Sequence, residues 1–110
     1  MHSIFGAPLG SAYSSSKGAV VQFTKSLANS WARENIQVNA ILPGYIDTDM
    51  TKKARIDIPE LEKRVENRTP MGRWGVPEDL EGIAVFLSSK ATDFITGTAI
   101  PVDGGYSING

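Results

Sequence analysis

Two side chains near the start of the chain, Tyr13 and Lys17, have the types and the spacing to transfer a proton. Residues four apart lie one above the other on a helix face, so the phenol and the ammonium can act as one unit. A free phenol titrates near pH ~10, and a neighbouring cation lowers this pKa because it favours the phenolate. The pair is a candidate acid/base device, and the alternative is an exposed tyrosine and lysine on a solvated helix start.

The composition argues against several other kinds of chemistry. The net charge is -1 and the basic residues are scattered, so we expect neither nucleic acid nor an anionic membrane as a partner. The chain has no cysteine and one histidine, His2, so disulfides, metal sites and Ser-His-Asp catalysis are not expected. Its apolar runs are too short to cross a bilayer, and its first residues do not form a secretory leader, which together predict a cytoplasmic protein.

A helix and a strand are the first elements that must position the candidate pair. Apolar residues at three- and four-residue steps predict a helix from Tyr13 to Glu34 with a buried stripe. The stripe comprises Ala19, Val20, Phe23, Leu27, Ala28 and Trp31. The β-branched stretch Ile36–Leu42 predicts a strand that ends in a turn at Pro43-Gly44.

The second half of the chain continues the alternation of helices and strands. Residues 45–58 are polar with a weak period and predict a mobile loop. Pro59 and Pro77 can each open a helix, because the missing N–H costs nothing at the first helical position. The apolar faces of these helices are Leu61 and Val65 in the first, and Leu80, Ile83, Ala84 and Leu87 in the second.

A last strand, Gly97–Val102, is predicted at a sheet edge or a strand end, because Pro101 cannot donate a ladder hydrogen bond. Asp103-Gly104-Gly105 follows as a tight turn. Trp31 is predicted to pack in a core or interface, and Trp74 to be a hydrophobic plug or part of a subunit contact. The order helix, strand, helices, strand predicts an α/β layer with a parallel sheet.

Four segments, taken together in order and spacing, resemble the short-chain dehydrogenase/reductase family over nearly the whole chain. They are Tyr13-x-x-x-Lys17-Gly18-Ala19, Asn35 to Gly44 with Thr48, Arg73-x-Gly75-x-Pro77-Glu78-Asp79, and Ile95-Thr96-Gly97 with Val102-Asp103-Gly104-Gly105. The similarity is greatest to members that act on sugar acids and their keto forms, such as gluconate or deoxygluconate dehydrogenases, with 3-oxoacyl carrier-protein reductases as the alternative.

The resemblance implies roles for three residues. Tyr13 would exchange a proton with the substrate alcohol or carbonyl while hydride passes to or from a nicotinamide. Lys17 would lower the pKa of Tyr13 and hold the nicotinamide ribose hydroxyls. The serine that polarises the carbonyl in the family lies about thirteen residues before the tyrosine, ahead of Met1 here. Ser3, ten residues before Tyr13, is the candidate stand-in.

The resemblance also implies a cofactor segment. Pro43, Gly44, Ile46 and Thr48 match the part of the family that lies against the nicotinamide half of NAD or NADP. Ile46 would offer backbone contacts and Thr48 a hydroxyl, while residues 47–68 would form a substrate lid. A loop at the carboxyl end of a parallel strand is where α/β sheets place their ligands. The alternative for Pro43-Gly44 is an ordinary turn.

The glycine-rich cofactor loop and the first strands of the family have no counterpart in these 110 residues. We therefore expect residues 1–110 to form a single partial domain, the C-terminal portion of a doubly wound Rossmann-type parallel sheet that is incomplete without its N-terminal half. Without a phosphate cradle, stable dinucleotide binding by this chain alone is not expected.

Two functions follow from the resemblance. One is an NAD(P)-dependent oxidoreductase that interconverts a secondary alcohol, such as a sugar acid, and a ketone, and that assembles as a homo-oligomer. The other is a non-catalytic remnant that serves assembly through its long helix and C-terminal strand.

Overall fold

The computed structural model describes the backbone of residues 2–109 and the side chains of residues 15–109. Helices and strands alternate in the order α1 His2–Trp31, β1 Ala40–Pro43, α2 Asp49–Asp57, α3 Leu61–Arg68, α4 Glu78–Leu87 and β2 Ala99–Val102. Short 3-10 helices span Ala32–Glu34, Lys90–Thr92 and Tyr106–Ile108. None of the described helices combines the length and the apolarity that a membrane crossing requires.

The chain divides into two compact units. The first unit contains Met1–Ala40 and Thr92–Ile100, and the second contains Ile41–Ala91 and Pro101–Gly110. The first unit therefore holds α1, whereas the second holds α2, α3 and α4.

The two strands pair in parallel, as predicted. The Ala40 N–H donates to the Thr98 carbonyl at 2.8 Å, and the Gly44 N–H donates to the Val102 carbonyl at 3.1 Å. The pairing thus advances in the same direction along both strands. The backbone groups of successive strand residues point to alternate sides. Since the carbonyls of Thr98 and Val102 point to β1, the backbone N and carbonyl of Pro101 point away from β1, at the outer edge of this sheet.

The predicted start of the first strand at Ile36 is wrong, because side chains replace the ladder there. The Val38 N–H donates to the Thr96 hydroxyl at 3.0 Å, and the Asn39 side-chain oxygen accepts the Thr98 N–H at 3.0 Å. Among the described residues, only the bond from the Gly97 N–H to the Val38 carbonyl, at 2.8 Å, joins the two backbones directly at this point, so the regular ladder of β1 begins at Ala40. The predicted second strand likewise shortens, to Ala99–Val102.

The long helix α1 begins at His2, ahead of the predicted start at Tyr13, although Gly6, Pro8 and Gly10 have low helix propensity. Local propensity therefore does not locate this end of the helix. At the other end, Trp31 is followed by a 3-10 turn, and Asn35 at φ 60° closes it.

The predicted stripe on α1 is buried over only a short stretch, at Leu27 and Ala28. Ala28 is buried and Leu27 is half-buried. In contrast, Val20, Phe23 and Trp31 are exposed by 47%, 65% and 43%. Trp31 is therefore not packed in a core by the described parts of the first unit, and its packing in an interface stays a prediction.

Residues 45–58 are not the predicted loop, since they contain helix α2, Asp49–Asp57. Thr48 caps the helix and Asp49 lies in its first turn, where the helix dipole favours a carboxylate. A capping box formed by two threonines, Thr48 and Thr51, therefore compensates for the weak apolar period.

Helix α3 buries Leu61 and Val65 as predicted, at 2% and 0% exposure, but it begins at Leu61, so Pro59 is not its first helical residue. Helix α4 follows Pro77 as predicted, but its buried face is wrong. Leu80, Ile83 and Leu87 are only half-buried and Ala84 is exposed.

The core of the second unit forms around Trp74, which is a plug as predicted. Its indole N–H donates to the Glu62 carbonyl at 3.3 Å, and the residue is 7% exposed. Tyr45 meets it edge-on with ring centroids 5.4 Å apart, and Tyr45 meets Tyr106 at the same separation. Leu61 and Val65 are buried in the same unit.

Candidate functional site

The segment from Pro43 to Thr48 leaves the carboxyl end of β1, and a glycine fixes its first step. A Cβ at Gly44 would lie 2.6 Å from Cβ and 2.8 Å from Cα of Asp103. Real Cβ atoms do not approach that closely, so the two backbones meet only because residue 44 is glycine. The predicted turn at Pro43-Gly44 is therefore also a point of close contact between the ends of β1 and β2.

A short parallel bridge holds the middle of the same segment. The Asp47 N–H donates to the Gly75 carbonyl at 2.7 Å, and the Gly75 N–H donates to the Tyr45 carbonyl at 2.8 Å. A Cβ at Gly75 would come within 2.6 Å of Ile46 Cδ1. Glycine at position 75 thus leaves the Ile46 side chain in its present position, and a larger residue would displace the flexible end of that side chain.

Two threonine hydroxyls order the end of the segment where it enters α2. Thr48 Oγ1 accepts the Thr51 N–H at 3.3 Å, and Thr51 Oγ1 accepts the Thr48 N–H at 2.7 Å. Thr51 Oγ1 also donates to the Ile46 carbonyl at 2.7 Å. Since Thr48 is exposed, its hydroxyl remains accessible to a ligand.

An ion pair between Arg73 and Asp79 holds the loop that carries Gly75. The two terminal guanidinium nitrogens of Arg73 each donate to one carboxylate oxygen of Asp79, at 2.9 and 3.2 Å. The hydrogen bond from Arg73, followed by the one from the Val76 N–H, lowers the pKa of Asp79 from 3.8 to about 2. The carboxylate correspondingly raises the pKa of Arg73. Arg73 and Asp79 of the Arg73-x-Gly75-x-Pro77-Glu78-Asp79 motif therefore close a loop.

Arg55 of α2 connects the segment to the core of the second unit. Its guanidinium lies 4.5 Å from the centre of the Trp74 ring, in cation–π geometry. It also pairs with the Asp47 carboxylate and lies 3.6 Å from the Glu62 carboxylate. One largely buried cation thus links α2, α3 and the residue that precedes Thr48.

A pocket of about 420 Å³ opens beside this segment within the second unit. Its wall includes Tyr45, Ile46, Met71, Arg73, Asp79 and Asp103. Asp103 is held in place because its carboxylate accepts the N–H groups of Gly105 and Ser107 at 2.9 and 3.1 Å. The positive φ angles of Gly104 and Gly105, 62° and 93°, form the tight turn predicted there. The pocket therefore has one rigid wall, the turn that follows β2.

The predicted site residues fall into three groups. The structure brings Pro43, Gly44, Ile46 and Thr48 together in the second unit. Lys17 lies on α1 in the first unit and is half-buried. The side chains of Tyr13 and Ser3 lie outside the described residues.

The sequence alone did not identify two residues, Thr51 and Arg55, that support the segment from Pro43 to Thr48. Thr51 could have been found from the spacing Thr48-x-x-Thr51, which places a second hydroxyl at the third helical position. Arg55 had no comparable signal, because its partners Asp47, Glu62 and Trp74 are known only from the fold.

Comparisons with known proteins give consistent results. A family model described as enoyl-(acyl carrier protein) reductase matches residues 1–107. The chain is 52% identical over 104 residues to the 2-dehydro-3-deoxy-D-gluconate 5-dehydrogenase of Bacillus subtilis, covering 92% of this chain and 39% of that protein. It is 47% identical over 98 residues to the galactitol 2-dehydrogenase (L-tagatose-forming) of Cereibacter sphaeroides, covering 89% of this chain and 38% of that protein.

A solved structure agrees. The gluconate 5-dehydrogenase of Burkholderia cenocepacia, in complex with NADP and tartrate, superposes with a TM-score of 0.80 at 42% identity. The match covers 87% of this chain and 37% of that one, and it confirms the predicted α/β fold class. The chain thus spans well under half the length of the relatives that it matches.

Proposed function

The chain belongs to the short-chain dehydrogenase/reductase family, and we propose that it supplies the proton-transfer residues and the nicotinamide-facing segment of an NAD(P)-dependent dehydrogenase. The observation that carries this proposal is the segment from Pro43 to Thr48. It leaves a parallel strand at its carboxyl end, where open α/β sheets bind ligands. The close approach of Gly44 to Asp103 and the bridge between Ile46 and Gly75 order it in advance.

These residues fit one end of a nicotinamide cofactor. The Ile46 N–H donates to no described residue, and the Thr48 hydroxyl is exposed, so both can contact a polar group such as a carboxamide. Among residues 15–109 we find no glycine-rich turn that leads into a helix and could hold a pyrophosphate. We therefore assign the phosphate contacts to a complementary N-terminal portion.

The chemistry of the proposed reaction divides between cofactor and protein. A bound nicotinamide supplies or accepts the hydride. Tyr13 exchanges a proton with the substrate oxygen, and the Lys17 ammonium favours the phenolate form of Tyr13 and binds the ribose hydroxyls. Ser3 is our candidate donor to the carbonyl oxygen.

We further propose a sugar acid or its keto form as the substrate and NAD or NADP as the cofactor. The support is the similarity to dehydrogenases named for deoxygluconate and gluconate. A related structure also contains NADP and tartrate, a small hydroxy acid.

Reconstitution tests the proposal. The 110-residue chain is co-expressed with the N-terminal portion of the Bacillus subtilis relative, and NAD(P)H formation is measured with gluconate and 2-dehydro-3-deoxygluconate. We expect activity that falls roughly 100- to 10,000-fold with Tyr13→Phe, because the acid/base group is lost. Lys17→Ala should also reduce it, whereas Lys25→Ala, at an exposed lysine on the same helix, should not. Activity that survives Tyr13→Phe, or a well-formed complex without activity, would refute the enzyme proposal.

The second candidate function, a non-catalytic assembly module, is favoured by the exposed apolar face of α1. Val20, Phe23 and Trp31 leave 47%, 65% and 43% of their surface uncovered, which favours association into a homo-oligomer. Light scattering of the purified chain should detect oligomers that Phe23→Ser weakens. Oligomers without reconstituted activity would support the module, and a monomer at all concentrations would contradict it.

A further inference from the structure

The Thr51 hydroxyl makes more hydrogen bonds than a helix cap requires. A capping box needs the N-cap side chain to accept a helix N–H and the third helical residue to accept the N-cap N–H. Thr48 and Thr51 meet both conditions. In addition, Thr51 Oγ1 lies 2.7 Å from the carbonyl oxygen of Ile46, which precedes the N-cap by two residues. This third bond does not cap the helix, because it satisfies no helix N–H.

Counting protons assigns the direction of each bond. A threonine hydroxyl carries one proton and two lone pairs. The Thr48 N–H occupies one lone pair of Thr51 Oγ1, and the proton of Thr51 points to the Ile46 carbonyl. The Thr48 carbonyl, at 3.1 Å, is the more distant of the two acceptors of that proton.

This arrangement leaves the Thr48 hydroxyl proton available. Thr48 Oγ1 and Thr51 Oγ1 are 3.3 Å apart, which is long for a bond between two hydroxyls. Among residues 15–109 the Thr48 proton therefore has only a weak acceptor, and Thr48 is exposed. A ligand oxygen beside Thr48 would offer a better acceptor.

We propose that Thr51 is a positioning residue that holds Ile46 and Thr48 in the geometry needed to bind the nicotinamide end of the cofactor. The proposal rests on the proposed function, since it assigns a supporting group to the same segment. Thr51 does not itself contact the cofactor. It fixes the Ile46 carbonyl and the Thr48 N–H, and thereby the position of the Thr48 hydroxyl. The Ile46 N–H is oriented separately, because the Gly75 N–H donates to the carbonyl of the same peptide unit, that of Tyr45, at 2.8 Å.

The first test compares Thr51→Val with Thr51→Ser in the reconstituted complex. Valine keeps the shape of the side chain but removes the bonds to the Thr48 N–H and the Ile46 carbonyl. Each bond favours the binding-competent conformation by roughly a factor of 3 to 10, so we expect the KM for NAD(P) to rise about tenfold. The value of kcat should change less. Serine retains the hydroxyl and should restore KM to about the parent value. Thr51→Ala, which favours the helix, replaces valine if the valine variant does not fold.

Thr24→Val is the matched control. Thr24 is a buried threonine of α1 whose hydroxyl donates to the Val20 carbonyl at 2.7 Å, and it has no role in the proposed segment. It should leave the KM for NAD(P) unchanged. If Thr51→Val lowers the melting temperature but not the affinity for cofactor, Thr51 is only a cap and the inference is wrong. An inactive parent complex would instead refute the proposed function.

The second test needs no cofactor. In the 110-residue chain, Thr51→Val should accelerate amide hydrogen exchange at Thr48 roughly 3- to 10-fold, because its acceptor is gone. The Lys52 N–H, which donates to the Thr48 carbonyl at 2.9 Å, serves as the internal reference. Equal exchange at Thr48 in both proteins would show that the bond does not hold the segment.

Discussion

The two units of the chain differ in how they bury apolar side chains. The second unit buries Leu61, Val65, Trp74 and Tyr106, each at 7% exposure or less. In the first unit the buried apolar side chain, among residues 15–40 and 92–100, is Ala28. The second unit therefore has a small core of large side chains, whereas the described side chains of the first unit form no comparable cluster.

The proposed site residues are distributed over both units, and the difference in burial distinguishes one group from the other. The segment from Pro43 to Thr48 belongs to the unit with its own core, so its geometry can be set locally. Lys17 belongs to the unit whose helix leaves Phe23 and Trp31 exposed. We infer that the proposed cofactor segment is the more pre-organised of the two, and that α1, which carries the proposed proton-transfer residues, depends on further packing.

Exchanging the two tryptophans for alanine should give the largest contrast. Trp74→Ala should lower the free energy of unfolding by about 3–5 kcal/mol, because a buried ring and its bonds to Glu62 and Arg55 are lost. Trp31→Ala, at a residue 43% exposed, should cost about 1 kcal/mol or less. Urea unfolding followed by circular dichroism measures both, and equal losses would remove the distinction between the units.

Two glycines of the second unit should respond with opposite signs. Gly44→Ala should destabilise by about 1–3 kcal/mol, because its Cβ would overlap Asp103. Gly82→Ala, in α4 with open space around it, should stabilise by about 1 kcal/mol, since alanine favours a helix. Thermal unfolding compares the pair. A neutral Gly44→Ala would mean that the contact with Asp103 is not tight.

Two valines on neighbouring helices extend the comparison within one unit. Val65→Ala should cost about 1.5 kcal/mol, because roughly two buried methyl groups are removed. Val85→Ala removes the same atoms from a side chain 71% exposed, and should be neutral within about 0.5 kcal/mol. Chemical denaturation of both variants checks whether α3, and not α4, carries the local core.

The smallest expected effect is the acid response of the Arg73–Asp79 pair. The folded pKa of Asp79, about 2, lies below the usual 3.8, so its stabilising contribution is present above pH 3.8 and is lost as the pH falls towards 2. Asp79→Asn should remove this part of the pH dependence, whereas Glu78→Gln should not. Unfolding midpoints measured between these two pH values test it, and identical profiles for Asp79→Asn and the parent would contradict it.

Much of the fold could be predicted because some residues act locally. Pro77 marks the start of α4, and Leu61 and Val65 define a buried helix face by their spacing alone. Helix α2 was hidden because its stability comes from the hydroxyls of Thr48 and Thr51, while its apolar period is weak. Hydrophobic periodicity does not register a capping box of this kind.

Burial was the least predictable property. Phe23 and Ala28 belong to the same predicted stripe, yet one is exposed and the other buried. Periodicity shows which residues share a face but does not show what covers that face. In the candidate site, Gly44 could be identified from its motif, whereas its contact with Asp103 depends on the pairing of two strands far apart in sequence.

Pro101 has a consequence for the solubility of the chain. Its backbone lies on the side of β2 that faces away from β1, and it has no N–H to donate there. A strand from another molecule that approached this side would meet an interrupted row of donors. Edge prolines of this kind oppose the intermolecular strand addition that leads to aggregates and fibrils. Pro101 thus opposes the addition of a further strand at the β2 edge of the sheet.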